Sequence, residues 1–313
     1  MSKTRTPKKN AAPRSAEKTT PNRSGAAPPV VSGSWLAGAV GIMVVGATVC
    51  VWAALCLMFW QGNWQLLYHP RSAVTRTPAD VGVPFNAIGL ATTEAGLSQL
   101  KGWWIPAEHD ARFTAIYLHG GDGNLSDTVE QVERLHAAGL TVLAFDYRGY
   151  GQSQFAHPSE ARWREDVEGA IQYLIGTRHV PAGSIVLVGQ GLGADLALET
   201  GATHPDLAGI VLDELIAGAT DAIFEDPRAR LVPAHLLVKD RWDMSAPAAG
   251  LRIPSLWFED DTRPETKNTL GNPAPYQLVT SPKMIVWLSH SGNKQKDYAD
   301  ALSRWLDDLP VRH

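Results

Sequence analysis

The chain has 313 residues, a length that can hold one large α/β domain or two smaller domains, and its content of 44% hydrophobic and 19% charged residues is typical of a globular protein. The net charge is −4, but residues 1–34 contain seven lysines or arginines against the single Glu17, so the remainder carries −10. An acidic globular part without a basic stripe argues against nucleic-acid binding. The absence of cysteine after residue 60 excludes thiol catalysis and a cysteine metal site there.

Residues 1–34 are rich in Ser, Thr, Pro, Ala and Lys, which predicts a disordered basic tail. Residues 35–60 are apolar apart from one threonine, and at ~1.5 Å per residue they exceed the roughly 30 Å hydrocarbon layer of a bilayer. We therefore predict a transmembrane helix over 35–60. A signal peptide would have a shorter apolar region and a small-residue cleavage site, and a core helix is rarely apolar on every face.

Charge asymmetry predicts the orientation of this helix. Because cationic flanks tend to stay in the cytoplasm, we expect the tail to be cytoplasmic and the globular domain, residues 61–313, to be extracytoplasmic. In a bacterium that compartment is the periplasm. The expected partners are the lipid bilayer, a protein or a small ligand, and no nucleic acid.

Strands and helices are predicted to alternate after the anchor. The predicted strands are 85–91, 97–105, 113–119, 140–146, 184–189, 208–213, 254–259 and 283–289. The predicted helices are 126–138, 160–177, 192–204 and 295–308, with a weaker one near 264–270. This alternation indicates a mostly parallel sheet covered on both faces. The irregular segment 214–250 is interpreted as an insertion that caps the edge of the sheet.

Three segments carry a family resemblance. They read Leu-His-Gly-Gly-Asp-Gly-Asn at 118–124, Asp-Tyr-Arg-Gly-Tyr-Gly-Gln-Ser at 146–153, and Val-Gly-Gln-Gly-Leu-Gly-Ala at 188–194. Together they resemble the α/β-hydrolase superfamily. The anchor followed by Leu-Leu-Tyr-His-Pro at 66–70 is similar to its single-pass, membrane-anchored serine-hydrolase branch. The resemblance covers roughly residues 60–310 and implies an α/β-hydrolase fold, with a mostly parallel eight-stranded sheet flanked by helices and preceded by one transmembrane helix.

The third segment departs from the family at its nucleophile. A strand, a sharp turn and a helix are the setting of the Gly-x-Ser-x-Gly nucleophile elbow, but Gly191 stands where the serine is expected. In proteins that this chain resembles, backbone N–H groups form an oxyanion hole, and Gly121 and Leu192 occupy those positions here. The alternative is that these glycines only permit tight turns.

The other two triad positions also differ from the family pattern. Ungapped matching after the strand at 254–259 puts Arg263 at the acid position, with Asp261 as a substitute if the turn is shorter; the alternative is a solvated acidic turn. After the last strand, Gly292 or Asn293 falls at the histidine position, and His290 is displaced upstream. No motif for a metal or another cofactor is recognised.

The hypothesis from sequence is a catalytically inactive pseudo-hydrolase, anchored in the membrane, that acts by binding a protein partner or a small acyl ligand. The alternative is an active hydrolase of esters, thioesters or amides with a rearranged site, in which Asp261 and His290 activate water or another nucleophile. A third possibility is a passive spacer that serves the anchor and tail.

Overall fold

The computed structural model describes residues 31–92, 96–216, 218–260, 274–289 and 293–310. The chain divides into two compact units, residues 1–51 and 52–313. Helix α1, Gly33–Gly62, has 30 residues, and its side chains are almost all exposed. Among the described helices it is the one long and apolar enough to cross a membrane. It begins two residues before the predicted span and ends two residues after it. The predicted tail up to residue 30 and the predicted helix near 264–270 lie outside the described residues.

An eight-stranded sheet organises the second unit. A small ladder of β1 (His69–Pro70) and β5 (Asp122–Gly123) lies apart from it. The strands of the main sheet are β2 (Asn86–Thr92), β3 (Ser98–Ile105), β4 (Thr114–Leu118), β6 (Thr141–Asp146), β7 (Ile185–Gln190), β8 (Gly209–Asp213), β9 (Ser255–Asp260) and β10 (Lys283–Leu288). Their order is β10-β9-β8-β7-β4-β6-β3-β2. The pairs β2–β3 and β3–β6 are antiparallel, and the others are parallel.

Helices cover both faces of this sheet: α2 (Val129–Ala137), α3 (Glu160–Gln172), α4 (Leu192–Thr203) and α9 (Lys294–Asp308). Side chains of β7 alternate between the two faces. Ile185 and Leu187 join the apolar cluster that contains α3 and α4, whereas Val186 and Val188 join the cluster that contains α2 and α9. Such continuous burial is typical of a parallel strand between two helical layers. The predicted fold class is confirmed.

The segment between β8 and β9 is more helical than predicted. It contains α5 (Asp221–Glu225), a 3-10 turn (Pro227–Leu231), α6 (Ala234–Leu237) and α7 (Ser245–Gly250); α8 (Ala274–Leu278) precedes β10. Each of these helices has fewer than two turns, so it produces no apolar periodicity that a sequence pattern can reveal. We call residues 214–250 the cap.

Candidate active site

The turn between β7 and α4 has the geometry of a nucleophile elbow. Gly191 has φ 57° and ψ −124°, its N–H donates to Asp213 O at 2.9 Å, and its carbonyl accepts from Ala194 N at 2.9 Å. A residue with a side chain pays about 1–3 kcal/mol to adopt such angles. Glycine adopts them at little steric cost, so the substitution that removes the hydroxyl also relieves the turn.

Space at the apex does not explain why residue 191 is glycine. A Cβ atom built there would meet Ile216 Cδ1 at 3.7 Å, an ordinary van der Waals distance. Gly193 is different, since a Cβ atom there would overlap the carbonyl oxygens of Leu118 and His119. Gly193 therefore allows the first turn of α4 to pack against the end of β4, whereas position 191 has room for a serine.

The loop after β4 lies directly beside the elbow. A Cβ atom at Gly120 would be 3.5 Å from Gln190 O, and one at Gly121 would be 3.6 Å from Leu192 Cδ2. Gly121 and Leu192, at the family's oxyanion positions, are therefore neighbours. Leu192 is the first residue of α4, where backbone N–H groups have no intrahelical acceptor.

The Leu-Leu-Tyr-His-Pro stretch after the anchor holds this loop in place. His69 N donates to Gly121 O at 2.8 Å and Arg71 N donates to Gly123 O at 2.9 Å. Next to them, Tyr68 Oη donates to Asp240 Oδ2 at 2.6 Å and accepts from Trp242 Nε1 at 3.1 Å. The stretch thus connects the loop beside the elbow to the cap. The sequence alone indicates only a family resemblance for this stretch and no structural role.

A buried histidine and carboxyl group lie at the base of the same loop. His119 Nε2 is 3.6 Å from Asp146 Oδ1, and this carboxyl oxygen accepts from Leu125 N at 2.9 Å. Burial lowers the pKa of His119 to about 4 and raises the pKa of Asp146 to about 7, so burial favours the neutral form of both groups. Sequence reasoning did not single out this pair. The parallel register pairs Tyr117 with Ala144. His119 and Asp146 each follow two residues later, so this register brings them to the same end of the two strands.

The predicted acid and histidine positions Asp261, Arg263, His290 and Gly292 lie outside the described residues, so these assignments stay predictions. Three side chains that flank them are described. Lys294 Nζ donates to Asp260 Oδ2 at 2.9 Å. Asn293, the alternative histidine position, is the N-cap of α9, and its side-chain oxygen accepts from Lys296 N at 3.2 Å.

Asp195, in the first turn of α4, is a buried acid that sequence reasoning also missed. Burial, reinforced by the nearby Glu199 and Glu259, raises its pKa well above the usual range for a carboxyl group. Burial therefore disfavours the charged form of this carboxyl group beside the elbow. Within the part of the chain that the structure describes, no group of three His, Cys, Asp or Glu side chains fits a metal ion.

Comparison with known proteins supports the fold. The family model described as serine aminopeptidase, S33, matches residues 109–222. The uncharacterized protein Rv2307c of Mycobacterium tuberculosis is 27% identical over 281 residues, which cover 86% of this chain and 95% of that protein. Protein bem46 of Schizosaccharomyces pombe is 28% identical over 149 residues, 47% of this chain and 50% of that protein. An uncharacterized membrane protein of Saccharomyces cerevisiae, YNL320W, is 28% identical over 139 residues, 44% of this chain and 48% of that protein.

Solved structures share the architecture at low sequence identity. The Pyrococcus furiosus esterase Pf2001 superposes with a TM-score of 0.55 and 19% identity, covering 77% of this chain and 97% of its own. An α/β hydrolase from Vibrio vulnificus gives a TM-score of 0.52 and 18% identity, covering 73% and 81%. The resemblance inferred from the three motifs is confirmed: the chain is an α/β-hydrolase-fold protein.

Proposed function

We propose that this protein is a membrane-anchored pseudo-hydrolase that binds its ligand without hydrolysing it. The observation that carries the proposal is Gly191, which occupies the elbow with φ 57° and offers no hydroxyl. In serine proteases, loss of the nucleophile lowers turnover about a millionfold, and only about 10³–10⁴ over water remains from binding and the oxyanion hole. An activity that small does not support a metabolic role.

The expected ligand is a small acyl compound with a carbonyl or carboxylate oxygen. Backbone N–H groups do not depend on the nucleophile, and Gly121 and Leu192 are neighbours beside the elbow. The N-terminus of a helix also favours an anion. Burial raises the pKa of the Asp195 carboxyl group in the first turn of this helix, which weakens its repulsion of a carboxylate there.

The active-hydrolase alternative needs a nucleophile other than residue 191. Ser153, in the second motif, is occupied by structural hydrogen bonds: its hydroxyl donates to Asp146 O at 2.6 Å and accepts from Lys101 N at 2.9 Å. A water molecule activated by Asp261 and His290 is the other route. We favour binding because the departure at position 191 removes the group on which the family mechanism depends.

The proposed topology follows from helix length and charge. We place α1 across the membrane with the cationic tail in the cytoplasm and residues 61–313 outside it, as the positive-inside tendency favours. Protease added to spheroplasts, whose outer membrane has been removed, then digests the domain and spares the tail. Digestion only after the spheroplasts are lysed would reverse this orientation.

Binding is tested with octanoate and two variants at one position. Leu192→Pro removes the N–H group at the first helical position, where proline is tolerated, whereas Leu192→Ala shortens the side chain but keeps the N–H group. We expect calorimetry on the full chain in nanodiscs to show saturable octanoate binding for the wild type and Leu192→Ala, and none for Leu192→Pro. Equal binding by both variants, or no binding by the wild type, contradicts the proposed oxyanion-type site.

A further inference from the structure

The cap extends along the last turns of α1. Trp52 Nε1 donates to Leu231 O at 3.1 Å, and both residues belong to the unit 52–313. Trp52 lies ten residues before the end of α1 at Gly62, which corresponds to about 15 Å along the helix axis. The 3-10 turn that ends at Leu231 therefore reaches well back along the apolar helix.

Apolar packing fixes the cap against the helix. Phe59 of α1 forms a small buried cluster with four residues of the cap, Ile223, Ala229, Ala234 and Val238. Next to this cluster lies an apolar cavity of ≈ 160 Å³. Its walls are mostly apolar side chains, among them Leu55, Met58, Leu231 and Val232, with Asn63 and Arg228 as its polar residues. Water gains few hydrogen bonds in such a space, whereas a hydrocarbon chain fills it favourably.

Large apolar side chains are exposed around the end of the anchor. Leu231 is 62% exposed, Leu236 of α6 is 83% exposed and Phe155 is 87% exposed. The ring of Phe155 lies 6.0 Å from that of His157, whose ring is 5.0 Å from that of Trp64, just after α1. Exposed apolar side chains grouped in this way mark an interaction surface.

Basic side chains accompany this apolar surface. Arg230 is exposed on the same turn as Leu231, and Lys239 Nζ lies 5.8 Å from the centre of the Trp60 ring. Cations with long apolar stems beside leucine and tryptophan are typical of a segment that lies in the headgroup region of a membrane. Arg228, by contrast, is paired with Asp226 through two hydrogen bonds of 2.9 Å.

The length of α1 indicates that this apolar surface contacts the bilayer. Its 30 residues extend about 45 Å at ~1.5 Å per residue, about 15 Å more than the hydrocarbon layer. If the membrane-spanning part begins at the first turn of α1, the hydrocarbon layer ends near Trp52. If that part is shifted toward Trp60, Trp52 lies inside the hydrocarbon layer. In both cases the turn bonded to Trp52 is at membrane level.

We propose that the cap segment 227–237 lies in the headgroup interface of the leaflet at the C-terminal end of α1, with Leu231 and Leu236 among the acyl chains. Arg230 and Lys239 then meet lipid phosphates, and an acyl chain fills the cavity beside Phe59. This inference rests on the anchor of the proposed function, but not on the proposed ligand site at the elbow. It brings the cap, and the Tyr68 contacts that join it to the elbow loop, next to membrane lipids.

Depth-dependent fluorescence quenching tests this placement on the full chain. Cys50→Ala and Cys56→Ala remove the native thiols, and bimane is then attached at Leu231→Cys, Leu236→Cys or Ile175→Cys. Ile175 is the control because it lies far from the cap. Glu160, at the start of α3, accepts from Arg241 N of the cap at 2.6 Å. Ile175 lies 15 residues further on, in the π-helical turn Tyr173–Thr177 that continues α3, about 22 Å along the helix.

The labelled chains are reconstituted into phosphatidylcholine–phosphatidylglycerol vesicles with or without doxyl-labelled lipid. We expect all three chains to float with the vesicles, with blue-shifted, strongly quenched emission at 231 and 236 and unchanged emission at 175. Flotation with equal quenching at all three positions contradicts the cap placement alone and leaves octanoate binding at the elbow untouched. Failure to float contradicts the anchor and the cap placement together.

Discussion

Lys294 Nζ lies 2.9 Å from Asp260 Oδ2 and thereby joins the end of β9 to the first turn of α9. In proteins that this chain resembles, the catalytic acid and histidine come from these two connections. In the described part of this chain, the ion pair between Lys294 and Asp260 lies at these connections.

The Lys294–Asp260 pair is expected to stabilise the fold. Lys294→Met should lower the free energy of unfolding by about 1 kcal/mol, more than a fully exposed pair contributes, because the Asp260 side chain is largely buried. Lys296→Met is the matched control, since Lys296 is exposed on the same helix, and it should change stability by less than about 0.5 kcal/mol. Urea denaturation of the full chain in detergent measures both. Equal effects would show that the ion pair contributes nothing.

The elbow conformation predicts an effect of opposite sign at two glycines. Gly191→Ala should cost about 1–3 kcal/mol, because alanine is strained at φ 57°. Gly176→Ala should be neutral or stabilise by up to about 1 kcal/mol, because Gly176 lies in a helical segment with open space around it. Thermal unfolding of both variants checks this. A Gly191→Ala protein as stable as the wild type would mean that the turn is not held in the elbow conformation.

The burial of Asp146 predicts that Asp146→Asn and the wild type differ in stability by an amount that depends on pH. Burial raises its pKa from 3.8 to about 7, so the stability that this group contributes is present below about pH 4 and is lost as the pH rises through about 7. Asn cannot ionise, and its side-chain oxygen still accepts from Leu125 N. Relative to the wild type, Asp146→Asn should therefore gain stability between about pH 4 and about pH 8, by up to about 4 kcal/mol.

The opposite slope from His119 does not obscure this comparison. Its pKa is lowered to about 4, so its contribution is present above about pH 6.5 and is lost as the pH falls. Because His119 is present in both proteins, its effect largely cancels in the difference. A difference between Asp146→Asn and the wild type that stays constant across this pH range would contradict burial of an ionisable carboxyl group at position 146.

The hydrogen bonds of Tyr68 predict that the contact between the elbow loop and the cap depends on its hydroxyl group. Tyr68→Phe removes the acceptor of Trp242 Nε1 and the donor to Asp240, which should cost about 1–3 kcal/mol because these groups are largely buried. Tyr173→Phe, which removes a hydroxyl that accepts from Arg178 near the surface, should cost less than about 0.5 kcal/mol. Urea denaturation distinguishes the two. Similar losses would show that the Tyr68 bonds have no special weight.

The sequence predicts those parts of the structure that follow from local patterns. The predicted strand at 184–189 and β7 at Ile185–Gln190 agree closely because a buried parallel strand is a short apolar run bounded by turn residues. The turn at Gly191 is predicted because it lies directly between the predicted strand at 184–189 and the predicted helix at 192–204. The short cap helices are missed because one turn of helix has no period.

Contacts between distant segments were harder to foresee. The His119–Asp146 pair depends on the register of two neighbouring strands, and the Lys294–Asp260 pair depends on how two connections approach each other. The Tyr68–Asp240 hydrogen bond joins residues 172 positions apart. In each case the residue types were visible in the sequence, but nothing local indicated which partner would face them.

The central claim, that Gly191 leaves this fold without hydrolytic activity, is tested most directly by ester turnover on the full chain in vesicles. Butyrate and octanoate p-nitrophenyl esters are assayed for the wild type and for His290→Ala, with a fluorophosphonate probe to detect a reactive serine. We predict no turnover above the buffer rate for either protein and no covalent labelling. Wild-type turnover that His290→Ala abolishes, or capture of the probe at one defined serine, would contradict the claim.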